Sequence, residues 1–226
     1  MEDFKSIMEI PEYRMWHLGC GVVAMTDLEL FLTQQNDGYK APLQDVTYDK
    51  ETGIISNDDY MKYAEYNRDN IYYLGGNYVN KRIGVLPGSM EAGLAYYLRT
   101  NNHPYTNVKW APYSEMFRYA KNQTALTIED MIDRNIPVVF SYHTFDKNEY
   151  LRAYYNWEDA KSEGDSYEKI TSHYMTIVGY RKYIDGSSMD YHYILKVVSW
   201  GEVYYVNYDE YMQKLSYVTN ILSVGG

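Results

Sequence analysis

The sequence predicts an α+β fold, with helices in the N-terminal part and an antiparallel sheet in the C-terminal part. Three observations carry that expectation. An early segment, residues 18–32, is apolar at nearly every helical turn. The last third holds successive runs rich in Tyr, Val and Ile, residue types that suit a pleated sheet. The Asp185-Gly186 pair between two of those runs marks a turn. Helices first and strands last argue for two segregated layers rather than alternating βαβ units. A chain of 226 residues suits one domain, expected as a helical part over about residues 1–135 and a sheet part over about 136–226.

Element by element, Val22, Val23, Ala24, Met25, Leu28, Phe31 and Leu32 cover so much of the first helix that it is expected to be central and buried. Asp27 and Glu29 on it are read as solvated. Residues 34–55 are polar and broken by Gly38, Pro42 and Gly53, and read as loop. Residues 57–70 form a helix candidate with Tyr60, Tyr63 and Tyr66 on one side, read as a packing stripe. Ser89, after Pro-Gly, is expected to cap a helix to about Tyr97. A short strand over residues 106–110 and a helix over 113–120 follow. Thr127 is read as starting a separate short helix, with Asp130 three residues on, closed by Pro137. Residues 138–142 read as strand and 143–170 as a long polar loop of the kind that often carries function. The acidic pairs Asp58-Asp59 and Glu158-Asp159 read as solvated charges. Strands are then expected at 172–180, 191–199, 203–206 and 218–224, with a short helix at 208–214.

Composition narrows the function classes. The formal net charge of -10 opposes binding to phosphate backbones and anionic lipid heads, so nucleic acid is not an expected partner. No run approaches the roughly 18–20 apolar residues that cross a bilayer, so membrane insertion is not expected. Residues 1–12 carry no secretory pattern. A cytoplasmic location is the expectation, or export if a signal segment once preceded residue 1. His17, His103, His143 and His192 lack the paired spacing of a zinc site, and no glycine-rich loop followed by Lys cradles a phosphate. No cofactor or metal is therefore expected. Tyrosine is abundant, at 29 residues, which fits half-buried strands or an aromatic groove.

There is a single cysteine, Cys20, at the head of the apolar helix. Unpaired backbone N–H groups and a positive dipole end stabilise a thiolate at that place, and the flanking Gly19 and Gly21 admit close approach of a substrate carbonyl. The alternative is a small residue packed in a helix. His173 opens a strand in which Met175 and Ile177 share its side. A histidine there is either a base aimed into a cleft or a structural residue.

Gly19-Cys20-Gly21 followed by Val22-Val23-Ala24, the stretch from His173 to Gly179-Tyr180, and Ser199-Trp200-Gly201 before Val203-Tyr204-Tyr205-Val206 occur in this order. In these stretches, about 40 residues at the two ends of the chain, the sequence resembles papain-like cysteine peptidases. It is most similar to bacterial peptidases related to bacteriocin-leader processing enzymes. The resemblance implies a single papain-like cysteine-hydrolase domain in which Cys20 is the nucleophile and His173 its base. It implies a peptide or protein substrate and no cofactor. The family's orienting Asn or Asp falls here on Val198 or, one residue on, on Ser199; Asn207 is more distant. The family's oxyanion Gln falls on Arg14, with His17 nearby as another donor. These departures leave three readings: a Cys–His hydrolase of amide bonds, an acyltransferase or deamidase using the same pair, and a papain-fold binding protein without catalysis.

Overall fold

The structure is a computed structural model and describes residues 19–35, 48–49, 54–71, 85, 87–110, 117–144, 146, 148–186, 190–199, 202–214 and 221–225. The chain is mixed α+β and divides into two compact units, residues 1–108 with 225–226, and residues 109–224.

In the first unit, α1 (Cys20–Gln35) is buried almost all round, as its apolar circumference predicts. Short strands β1 (Tyr48–Asp49) and β2 (Ile54–Ile55) pair antiparallel within the stretch expected to be loop. Helix α2 (Asn57–Tyr66) is capped by Ser56, whose side chain accepts from the Asp59 amide, and runs into a π-helical turn, Asn67–Ile71.

The tyrosine stripe on α2 is more than packing. Tyr63 donates to Glu29 Oε2 at 2.7 Å and Tyr60 to Asp27 Oδ1 at 2.8 Å. Glu29 is fully buried and also accepts from Asn67 Nδ2 at 2.7 Å. This corrects the expectation that the two acids are solvated. A carboxylate with donors aimed at it can stay in an apolar interior that would otherwise reject it. Helix α3 (Pro87–Thr100) starts at Pro87, and Ser89 lies inside it, buried, rather than capping it. Proline is well suited to the first helical position, where its missing N–H has no partner to lose.

The second unit is built on one sheet. After β3 (Asn107–Trp110), helix α4 (Phe117–Asp133) is one continuous element, where two shorter helices were expected. Thr127 lies inside it and donates to the Gln123 carbonyl at 2.9 Å, four residues back. Its hydroxyl is thus satisfied without a cap. Then come β4 (Val138–His143), β5 (Leu151–Tyr154), α5 (Trp157–Ser162), β6 (Tyr167–Ile170), β7 (Ser172–Ile184), β8 (Tyr191–Ser199), β9 (Glu202–Asn207), α6 (Tyr208–Gln213) and β10 (Ile221–Gly225).

The sheet order is β3-β10-β4-β7-β8-β9-β5-β6, and the pairings from β10 to β6 are antiparallel. The stretch expected as a long loop before residue 171 therefore supplies two strands and a helix. Helix α4 is tied to the sheet through Glu129, which accepts from Lys182 Nζ at 2.7 Å and Tyr193 Oη at 2.5 Å. Tyr154, Ala160 and Ile194 form a small core on the other face, with Trp157, Tyr167, Tyr183 and Tyr205 packed around it. Among the described residues no helix is long and apolar enough to cross a membrane.

Asn207 closes β9 and opens α6. Its Oδ1 accepts from the amides of Asp209 at 2.9 Å and Glu210 at 3.2 Å, and its Nδ2 donates to the Ala160 carbonyl at 3.3 Å. The residue is buried, so truncation leaves three polar groups short of partners. Asn207→Ala is expected to lower unfolding free energy by about 1–2 kcal/mol, read as a lower urea midpoint at unchanged m. A loss below about 0.5 kcal/mol, the scale of an ordinary surface substitution, would show that the cap is dispensable.

Candidate functional site

The most developed site lies in the second unit, where β7 begins and β8 ends. Thr176 is opposite Val198 and Ile177 opposite Val197. Because successive side chains alternate faces, Val197 and Ser199 share the face of His173, Met175 and Ile177. Val198 points the other way. On the neighbouring strand Tyr142 is opposite His173. The register thus brings His173 and Ser199 together: His173 Nε2 and Ser199 Oγ are 2.6 Å apart. Ser199 is buried and His173 half-buried.

A cavity of about 320 Å³ opens beside this pair, with Ala153, Ile170 and Met175 as apolar walls and Glu168, Lys169, Thr171, Ser172 and Tyr204 as polar ones. These residues come from β5, β6, β7 and β9, with Thr171 between β6 and β7. Four of the cavity residues, Ala153, Glu168, Lys169 and Ile170, lie in the stretch read from sequence as loop. The available signal was the Leu-Arg-Ala-Tyr run at residues 151–154, too short to stand alone as a strand.

Burial pushes the His173 imidazole down to about 4 from its ordinary value of 6.5, because the cation loses hydration when it leaves water. The pairing with Ser199 does not offset this. A hydroxyl fixes a ring nitrogen in place but brings no full charge to hold an imidazolium. Near neutral pH the ring is therefore uncharged. In the tautomer whose Nε2–H donates to Ser199 Oγ, Nδ1 carries the lone pair and can accept a proton.

The remaining expected site residues are placed as follows. Cys20, in the first unit, is the first residue of α1 and is half-buried. The helix begins at once there, with the Val23 amide bonded to the Gly19 carbonyl at 2.8 Å. Arg14 and His17, the expected oxyanion donors, and Trp200-Gly201 lie outside the described residues. Asn207 is occupied as the α6 cap and is not an orienting group for His173. His143 Nδ1 meets Ser172 Oγ at 2.8 Å, one step along the register from His173. Among the described residues no group of three or more His, Cys, Asp and Glu side chains could hold a metal ion.

No protein-family model matches the chain, and no curated protein and no solved structure matches it.

In a Cys20→Ala chain His173 is expected to titrate near 4 by NMR, burial being the cause that acts on its ring. The unfolded histidine takes its proton near pH 6.5, and the folded one does so only near 4. Stability from this group is therefore complete above about pH 6.5, falls as pH drops toward 4, and is flat below. The loss, relative to a chain that also carries His173→Gln, is up to about 3 kcal/mol. Parallel urea-stability curves for the two chains between pH 4 and 6.5 would refute the burial argument.

Proposed function

We propose that the chain is a papain-like, thiol-dependent hydrolase that cleaves amide or peptide bonds with Cys20 as nucleophile and His173 as base. The observation that carries the reading is the 2.6 Å contact between His173 Nε2 and Ser199 Oγ beside an open cavity. It gives the imidazole a partner one residue beyond Val198, where the resembled family has its Asn in register. The pairing of Cys20 with His173 rests on the order of the sequence motifs. The place of Cys20 at the positive end of a 16-residue helix favours the thiolate it would need.

In the proposed reaction the thiol proton passes to His173 Nδ1 and the sulfur attacks the substrate carbonyl carbon. The Cys20 N–H, with Arg14 or His17, holds the oxyanion. The imidazolium then protonates the leaving amine as the C–N bond breaks, leaving a thioester. His173 next takes a proton from water, whose oxygen attacks the thioester carbon, and returns it to the departing thiolate. Acyl transfer replaces that water with another nucleophile, and deamidation releases ammonia; both use the same residues. A peptide or protein is the proposed substrate. A second reading, a papain-fold binding protein, is favoured by the hydroxyl in place of a carboxylate or amide partner for His173.

The rate of Cys20 alkylation by iodoacetamide against pH separates the two. For the hydrolase, labelling at pH 6 stays within about threefold of that at pH 8, and His173→Ala lowers the pH 6 rate by about tenfold or more, because only a partnered thiolate survives at that pH. Labelling that climbs only toward pH 8–9 in both chains means an ordinary thiol and selects the binding protein.

A further inference from the structure

The cavity beside His173 has a definite chemical character. Ala153 is opposite Glu168 on β6 and opposite Val206 on β9, while Leu151 is opposite Ile170. Tyr204 is opposite Val197, and Glu202 opposite Ser199. Alternation therefore places Ala153, Glu168, Ile170, Tyr204 and Glu202 on the face that carries His173 and Ser199. The floor is apolar: Ala153 and Met175 are buried. Above it, the lining holds the Glu168 carboxylate beside Lys169.

The nearby cations have partners of their own: Lys169, which also lines the cavity, reaches an aromatic ring, and Lys182, further along β7, pairs with Glu129. Arg152 meets Glu210 at 2.9 Å and Glu163 at 2.6 Å, and Lys169 Nζ lies 4.5 Å from the Tyr150 ring centre. Glu168 Oε1 accepts from the Tyr155 hydroxyl, which fixes the carboxylate. The Tyr155 and Tyr204 rings stand 5.9 Å apart, tilted by 46°. An apolar floor under a held carboxylate and an aromatic face suits a long alkyl stem ending in a cation.

We propose that this cavity takes an arginine or lysine side chain of a peptide, with the stem on Ala153, Ile170 and Met175 and the cation between the Glu168 carboxylate and the Tyr204 ring. The inference deepens the hydrolase reading by naming a substrate side chain. It rests on that reading only for the peptide being a substrate, since the binding itself needs no chemistry at Cys20. An acidic side chain is disfavoured beside Glu168, and a purely apolar one brings the carboxylate no cation.

The test uses the full chain carrying Cys20→Ala and three probes, acetyl-Gly-Arg-Gly-amide and its norleucine and glutamate counterparts. Dissociation constants are read from the NMR shift of the His173 ring. The arginine peptide is expected to bind about fivefold more tightly than the norleucine one, the yield of a partly exposed charge-assisted hydrogen bond. The glutamate peptide is expected to bind weakest. Glu168→Gln should bring arginine and norleucine within about twofold, the remaining attraction being to the aromatic face. Should that variant fold poorly, raising NaCl from about 0.05 to 0.5 M in the parent chain must weaken arginine binding and leave norleucine binding unchanged.

Equal binding of arginine and norleucine, an arginine preference that survives Glu168→Gln, or one insensitive to salt overturns the proposal. Ordinary Cys20 alkylation with the arginine preference intact removes the hydrolase reading and leaves the basic-side-chain site standing. The reverse pattern removes the site alone.

Discussion

The pairing register of β7 with β8 is the constraint on which the rest of the site depends. With a period of two, a slip of one residue would turn Val198 toward His173 and send Ser199 to the other face. Two features hold the register. Met175, Ile177, Val197 and Leu195 are buried, so a slip would exchange buried apolar side chains for polar ones along both strands. On the other flank, β4 pairs with β7 over six consecutive positions, from Val138 with Ile177 to His143 with Ser172. An irregularity between Ile177 and Gly179 then shifts the alternation, so that Tyr180, opposite Leu195, and Lys182, opposite Tyr193, join the face of His173. That is what lets Lys182 meet Glu129 of α4. One bulge thus reconciles the placement of His173 near the start of the strand with a helix-covered surface further along.

The first unit meets a different constraint. A helix apolar nearly all round must be buried, yet α1 also carries Thr26, Glu29 and Thr33, all buried. Each has a partner. Asn67 Nδ2 donates to Thr26 Oγ1 at 3.0 Å as well as to Glu29, and Thr33 Oγ1 donates to the Glu29 carbonyl at 2.8 Å. Asn67 opens the π-helical turn, so the departure from α-helical winding begins at the residue that serves two buried acceptors. Removing one member of such a network strands the others in a medium without water, which makes this unit intolerant of single polar substitutions that would be harmless on a surface.

Much of this was legible in the sequence wherever periodicity was long enough to read. The strands at residues 191–199 and 203–206 and the central helix follow from their apolar patterns. His173 followed from its strand-mates Met175 and Ile177. What was not legible has identifiable causes. β6 reads Tyr-Glu-Lys-Ile, with both central residues exposed, so it carries no alternation. Helix α5 has only six residues, too few for a face, though Asn156 accepting from the Asp159 amide and the acids in its first turn are a start signal that the acidic pair Glu158-Asp159 partly encoded. Thr127 imitated a cap because the same hydroxyl serves a cap or a back-bond equally well. The choice between Val198 and Ser199 needed the register, a long-range fact. Glu29 looked solvated because its partners Tyr63 and Asn67 lie more than thirty residues away.

The proposed chemistry turns on whether a hydroxyl can stand where a charged or amide partner usually sits. Burial disfavours the His173 cation by about 3 kcal/mol, from a shift to about 4. The proposed chemistry would need a thiolate close by: at about 4 Å in a partly wet site it would return about 4 kcal/mol of Coulomb attraction. The two are close, and the sign favours the ion pair only while the sulfur is near and charged. In the proposed reaction the imidazole would be neutral without a neighbouring thiolate and charged beside one, so that its protonation would follow the nucleophile rather than a third group. A carboxylate partner would remove that dependence by holding the cation at all times. Ser199 instead offers direction alone, which the proposed thiol nucleophile would tolerate and a hydroxyl one would not, since the same 4 kcal/mol could not overcome its much higher pKa.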